Sequence, residues 1–130
     1  MKKGHIQIKV DSTNTPMVEC HLNNGTVWMD RNELCELFGC HLKDIDKFLE
    51  SVFKKEMFRI EETCRYHIIA GGKRVSYDIT EVNLVVIIAL SFLMETPQAK
   101  TLRTWFISQL LKNGVFSFPF NCTMQNFSLN

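Results

Sequence analysis

The chain has 130 residues, with 15 Lys and Arg against 14 Asp and Glu, and 45% of it is apolar. That length lets one globular domain bury roughly two-thirds of the surface its unfolded form exposes, and the apolar content excludes a disordered polyelectrolyte. A formal charge of +1 also excludes the large basic excess that many nucleic-acid binders carry.

Ile6, Ile8 and Val10 alternate with Gln7 and Lys9, the period of a half-buried strand. Residues 17–22 and 26–29 flank Asn23, Asn24 and Gly25, which predicts a tight N-terminal hairpin between them because Asn-Gly tolerates positive φ. At Asp30 the period changes. Asp30 with Glu33 three residues on fits an acidic capping box, Leu34, Leu37 and Phe38 share one stripe, and Gly39 supplies a left-handed exit. After Cys40, His41 and Leu42 a second stripe begins, Ile45, Phe48, Leu49, Val52 and Phe53 at helical spacing. So short a joint predicts two helices that cross steeply.

Residues 63–69 and 75–79 are rich in β-branched and aromatic side chains around Gly71-Gly72, which predicts a second hairpin with Lys73 and Arg74 at its tip. Thr80 reads as the cap of a helix running to about residue 95, apolar nearly all round and central to the core. Its apolar run, residues 84–94, is about half of the ~20 residues a bilayer span needs. Pro97 interrupts it. Residues 98–112 form a last amphipathic helix, with Leu102, Trp105, Phe106, Gln109 and Leu110 near one face. Residues 1–112 thus make a single domain, followed by an uncharged tail, residues 113–130, with four phenylalanines. Trp28 and Trp105 are expected as core anchors.

Five cysteines, odd in number and scattered, and an N-terminus without an apolar core of signal-peptide length suggest free thiols in a reducing cytoplasm. Cys35, Cys40 and His41 cluster, Cys64 and His67 are three apart, and Cys20 adjoins His21. Free cysteine is among the most buried residue types, and these positions are expected to hold no metal. No nucleophile elbow, phosphate-cradling glycine loop or paired CxxC motif is present, so neither catalysis nor a cofactor is expected.

Helix, glycine turn, amphipathic helix and then a hairpin with a basic tip is the element order of a winged helix-turn-helix. The fold class expected is α+β, a winged helix-turn-helix-like domain with an N-terminal β-hairpin and two C-terminal helices. Lys43, Lys47 and Lys54 lie off the apolar stripe of the second helix and could meet phosphates, while His41 could donate a hydrogen bond near its start. Lys73 and Arg74 would extend the footprint on the wing, with Lys55, Arg59 and Arg65 completing a basic rim. Asp44 and Asp46 oppose such a contact, and five basic against four acidic groups over residues 41–60 read equally well as an ordinary solvated helix face. Arg103 could contact DNA, a partner or Glu95.

Val27-Trp28-Met29, Leu34 to Gly39, Ile45, Phe48-Leu49, Val86-Ile87-Ile88-Ala89, Leu102-Arg103-Thr104-Trp105 and Gln109-Leu110-Leu111-Lys112 together resemble the N-terminal module of the RhuM virulence-protein family of bacteria. The likeness extends more distantly to the Bro-N and KilA-N regulators of viruses and phages. It covers about residues 17 to 112. The resemblance implies a DNA-binding or transcription-regulating module associated with virulence and mobile elements. Double-stranded DNA is therefore the expected partner, bound by a homo-oligomer that pairs half-sites, with no membrane or small-molecule substrate. The alternative is a protein-interaction module derived from a DNA binder, with an apolar dimer patch that includes part of residues 115–120.

Overall fold

The computed structural model describes residues 3–72 and 74–112, the side chain of Arg74 excepted. The tip residue Lys73, the Arg74 side chain and the tail at 113–130, including the expected dimer patch, lie outside the described residues. The fold is mixed α+β. It runs β1 (His5–Val10), β2 (Pro16–His21), α1 (Arg31–Phe38), α2 (Leu42–Lys54), α3 (Ile60–Thr63), β3 (Cys64–Gly71), β4 (Arg74–Val82), α4 (Leu84–Leu93) and α5 (Pro97–Lys112). The strands form two separate antiparallel pairs, β1 with β2 and β3 with β4. Among the described residues no helix is long and apolar enough to cross a membrane.

The N-terminal hairpin is not closed at Asn23-Asn24-Gly25 as its sequence suggests. β2 pairs with β1, from His5 opposite His21 to Val10 opposite Pro16, around a loop organised by Asp11. The Asp11 carboxylate accepts from the Thr13 amide at 2.9 Å, the Thr13 hydroxyl at 2.6 Å and the Thr15 amide at 2.9 Å, while Asn14 takes a left-handed φ of 63°. An Asp side chain satisfying this loop makes as effective a turn as Asn-Gly.

The Asn-Gly turn does form, with Asn24 at φ 53° and Gly25 at φ 77° and with reciprocal backbone bonds between Asn23 and Thr26. It joins no further strand, because Val27 and Met29 are drawn into the core and Met29 pairs instead with Val82 of β4. The Thr26 hydroxyl accepts from the Leu84 amide, so the turn helps to start α4.

The capping box of α1 forms as expected, Asp30 accepting from the Glu33 amide and Glu33 from the Asp30 amide, both at 2.9 Å. Gly39 closes the helix at φ 65°. Its left-handed backbone favours glycine, and a Cβ there would displace only the flexible end of the Gln98 side chain of α5. α2 follows at once and buries Ile45, Leu49 and Val52. The short α3 carries no strong periodic signal, and it precedes β3 directly.

Thr80 does not cap α4. It is the extra residue at the register shift between the Arg65–Glu81 and Tyr66–Ile79 pairs, and its hydroxyl donates to the Arg65 carbonyl at 3.0 Å. Strand β4 therefore runs on to Val82, and Asn83 caps the helix by accepting from the Val85 and Val86 amides. α4 is not buried all round: Val86, Ile87, Leu90 and Ser91 face the core, while Val85 and Phe92 are exposed. Pro97 opens α5 rather than interrupting a helix, and Thr96 accepts from the Ala99 amide at 3.1 Å.

α5 packs chiefly on α4 and buries Ala99, Leu102 and Phe106. Leu110, expected on that face, is exposed; Trp105 is half-buried and packs against the core as expected, whereas Trp28 is half-buried outside the core cluster. One cluster joins every layer, with Phe38, Leu34, Ile45, Val52, Ile87, Leu90 and Leu102 buried within it.

Candidate nucleic-acid interface

In α2 the buried residues Ile45, Leu49 and Val52 fix one side against the body. With about 3.6 residues per turn, Lys43, Lys47, Glu50 and Lys54 fall at i, i+4, i+7 and i+11, a single ridge on the opposite side. All four are exposed. None of the three lysines makes an ion pair among the described residues. Lys47 lies 5.4 Å from the centroid of the neighbouring Phe48 ring, which leaves its ammonium at the surface. His41 is the N-cap residue by backbone, at φ −89° and ψ 158°, but its side chain caps nothing and is exposed.

The acidic objection to this face is halved by a contact the sequence does not announce. Arg31, the first residue of α1, places its Nε 2.7 Å from Asp46 Oδ1 and donates through Nη1 to the Ile79 carbonyl at 2.7 Å. Asp46 is thereby paired with a cation, while Asp44 and Glu50 make no ion pair among the described residues. One guanidinium also ties α1, α2 and β4 together, bringing the base of the second hairpin beside the first turns of α2.

The expected basic rim is only partly free. Arg65 stacks over the Trp28 ring at 4.4 Å and bonds Glu81 at 2.8 Å, so it serves the base of the hairpin. Glu81 also takes Lys3 at 2.6 Å, and Lys3 reaches Glu33 at 2.7 Å. Burial pushes the Glu81 carboxyl up, but hydrogen bonds from Lys3 and Arg65 outweigh it and leave it below the usual glutamate range. Arg103 contacts neither Glu95 nor an outward surface; it donates to the Ser91 and Met94 carbonyls at 2.6 and 3.2 Å, closing the C-terminus of α4. Lys55 and Arg59 stay exposed, the latter 4.0 Å from Glu61.

The second hairpin outruns the body. Beyond the bulge, Tyr66 opposes Ile79, Ile68 opposes Tyr77 and Ala70 opposes Val75, so these six side chains share one face. Tyr66 and Ile79 pack on the core, and the Tyr66 and Tyr77 rings meet edge to face at 5.2 Å. Further out the same face lies in water, with Ile68 62%, Val75 62% and Tyr77 40% exposed.

The cysteine groups do not assemble three potential metal ligands among the described residues. Cys20, Cys35, Cys40 and Cys64 are free thiols. Burial, and the neighbouring Cys35, push the Cys40 thiol up to about 11, so it is a poor thiolate donor. Comparison with protein-family models, curated proteins and solved structures finds no significant match to this chain.

Proposed function

We propose that the chain is a DNA-binding regulatory protein of the RhuM type, built as a winged helix-turn-helix in which α2 is the reading helix and the β3–β4 hairpin the wing. The observation that carries this reading is the ridge of Lys43, Lys47 and Lys54, exposed opposite the buried stripe and free of ion pairs among the described residues. The Arg31 clamp supports it twice, by pairing the carboxylate of Asp46 with a cation and by holding the hairpin base next to α2. Lysines on such a ridge act as point charges for phosphates, and His41 at the helix start adds one donor. Lys73 and Arg74 would extend the same footprint. Phosphate contacts position a protein and base contacts specify a sequence, so this set predicts binding with weak sequence preference.

A mobility shift on random duplex DNA at low salt tests the reading. Binding is expected to weaken as salt rises, and changing Lys43, Lys47 and Lys54 to Ala is expected to lower the slope of log K against log salt by about one per lysine. Absence of any shift at low salt overturns it.

The second reading, a protein-interaction module, is favoured by the exposed apolar face of Ile68, Tyr77 and Val75. Its signature is a homo-oligomer in sedimentation together with no shift of duplex DNA at low salt.

A further inference from the structure

The solvent face of the N-terminal hairpin holds a group that neither reading uses. Strand register places His5 directly across from His21 and Glu19 across from Gln7, so His5, Gln7, Glu19 and His21 share one face, while Ile6 and Cys20 turn inward. The two imidazole rings lie 4.7 Å apart, centroid to centroid, and are tilted by 42°. Glu19 Oε1 is 3.5 Å from His5 Nε2. One donor atom from each of the three residues lies within 4.8 Å of the other two. Ligands around a tetrahedral zinc, at bond lengths near 2.0–2.1 Å, sit about 3.3 Å from one another, so modest side-chain rotations close the set.

We propose that His5, Glu19 and His21 form a binding site for a divalent transition-metal cation, with Zn²⁺ the best fit to two imidazoles and a carboxylate. Such a set leaves at least one position to water. The carboxylate is already a gathering point for polar groups, with hydrogen bonds to it from Gln7, Lys9 and His5. Gln7 donates to Glu19 Oε1 at 2.6 Å and fixes the carboxylate's orientation, as outer partners of metal ligands do. Lys9, 3.3 Å from the same carboxylate, is the local competitor of the cation.

Placement gives the site a consequence. His5 opens β1 and His21 ends β2, so both stand at the end of the hairpin opposite the Asp11 loop. Gly4, at φ 69°, packs there so tightly that a Cβ would lie 2.7 Å from the His21 carbonyl oxygen. A cation across His5 and His21 would staple the open end of the hairpin, binding the folded chain and not the unfolded one.

The test uses untagged full-length protein stripped with chelator and titrated with Zn²⁺ alone, followed by calorimetry and by imidazole ¹⁵N resonances. One equivalent is expected to bind, moving the His5 and His21 ring signals and leaving those of His41 and His67 in place. His21→Ala and Glu19→Gln are each expected to weaken binding on the order of tenfold or more, while Lys9→Ala strengthens it. Zn²⁺ is also expected to raise the melting temperature of the wild type and not of His21→Ala. His21 and Lys9 are exposed, so the metal-free melting temperatures of their variants should match the wild type, and Glu19→Gln, which keeps the side chain's shape at a half-buried position, should still unfold in one cooperative transition and so show that it folds. Zn²⁺ binding that survives His21→Ala unchanged, or ring signals of His5 and His21 that do not move, overturns the proposal.

Discussion

In the β1–β2 hairpin the apolar face of Ile6, Ile8, Val18 and Cys20 lies against the body and the polar face of His5, Gln7 and Glu19 meets water. Beyond the bulge of the β3–β4 hairpin it is the apolar face that runs out into water, from Tyr66 and Ile79 at the base to Ile68, Tyr77 and Val75 on the arm. Alternation alone decides which side chains share a face; whether that face is covered depends on how far the strands extend past the helices. β1 and β2 have six residues each and stay over α1 and α5, whereas β3 and β4 have eight and nine and project. The first hairpin is therefore part of the core, and the second is an arm anchored at its base.

The contrast is broken most severely by removing apolar bulk from each. Ile6 is only 4% exposed, and Ile6→Ala is expected to cost about 2–4 kcal/mol, read as a lower denaturation midpoint with unchanged m. Ile68→Ala on the exposed arm is expected to fall within about 0.5 kcal/mol of wild type. Equal losses at the two sites would show that the arm is covered in solution.

A smaller effect is expected at the joint between the hairpins, where Lys3, just ahead of β1, and Arg65 of β3 meet on Glu81. Glu81→Gln removes the charge that both cations share, and about 1–3 kcal/mol is expected to be lost at neutral pH. The folded carboxyl lies below its ordinary value of 4.5, so its contribution is complete above that value and disappears as pH falls through the depressed one. Acid denaturation of Glu81→Gln should accordingly be less steep than that of the wild type, with the two stability curves converging at low pH.

How much of this was legible in the sequence follows the range of the interaction concerned. The α1 cap at Asp30 and Glu33, the Gly39 exit and the buried stripe of α2 are local, set by residues within a few positions of one another, and the structure shows each as expected. The partner of β2 is a competition between two turns, Asp11 to Thr15 and Asn23 to Thr26. Both turns form, and the outcome rests on burial of Val27 and Met29 by distant helices. Thr80 and Asn83 are both competent caps, and a single bulged residue decides between them.

The lysine ridge could be located from periodicity, because solvent exposure follows from the stripe on the other side of α2. Arg31 with Asp46, Arg103 with the end of α4, and His5 with Glu19 and His21 are contacts across 9 to 48 positions of sequence. For the last group, the signal was the alternation of His5 and Gln7 with Ile6 and Ile8, but without the register it could not be joined to Glu19 and His21.

The smallest expected change in stability separates the two functional readings most sharply. Ile68→Lys combined with Val75→Lys places two cations on the exposed arm, on adjacent rows of one face, where little packing is lost and the melting temperature should hardly move. If the arm is a wing beside α2, the new charges approach the phosphates that Lys43, Lys47 and Lys54 contact, so affinity for random duplex rises and its salt slope steepens by up to about two. If the arm is instead the apolar face of a homo-oligomer, the same charges face their copies across the contact and the assembly dissociates in sedimentation. A tighter DNA complex with no change in assembly supports the wing, dissociation with no gain in DNA affinity supports the interaction module, and the stability measurement shows that neither result comes from unfolding.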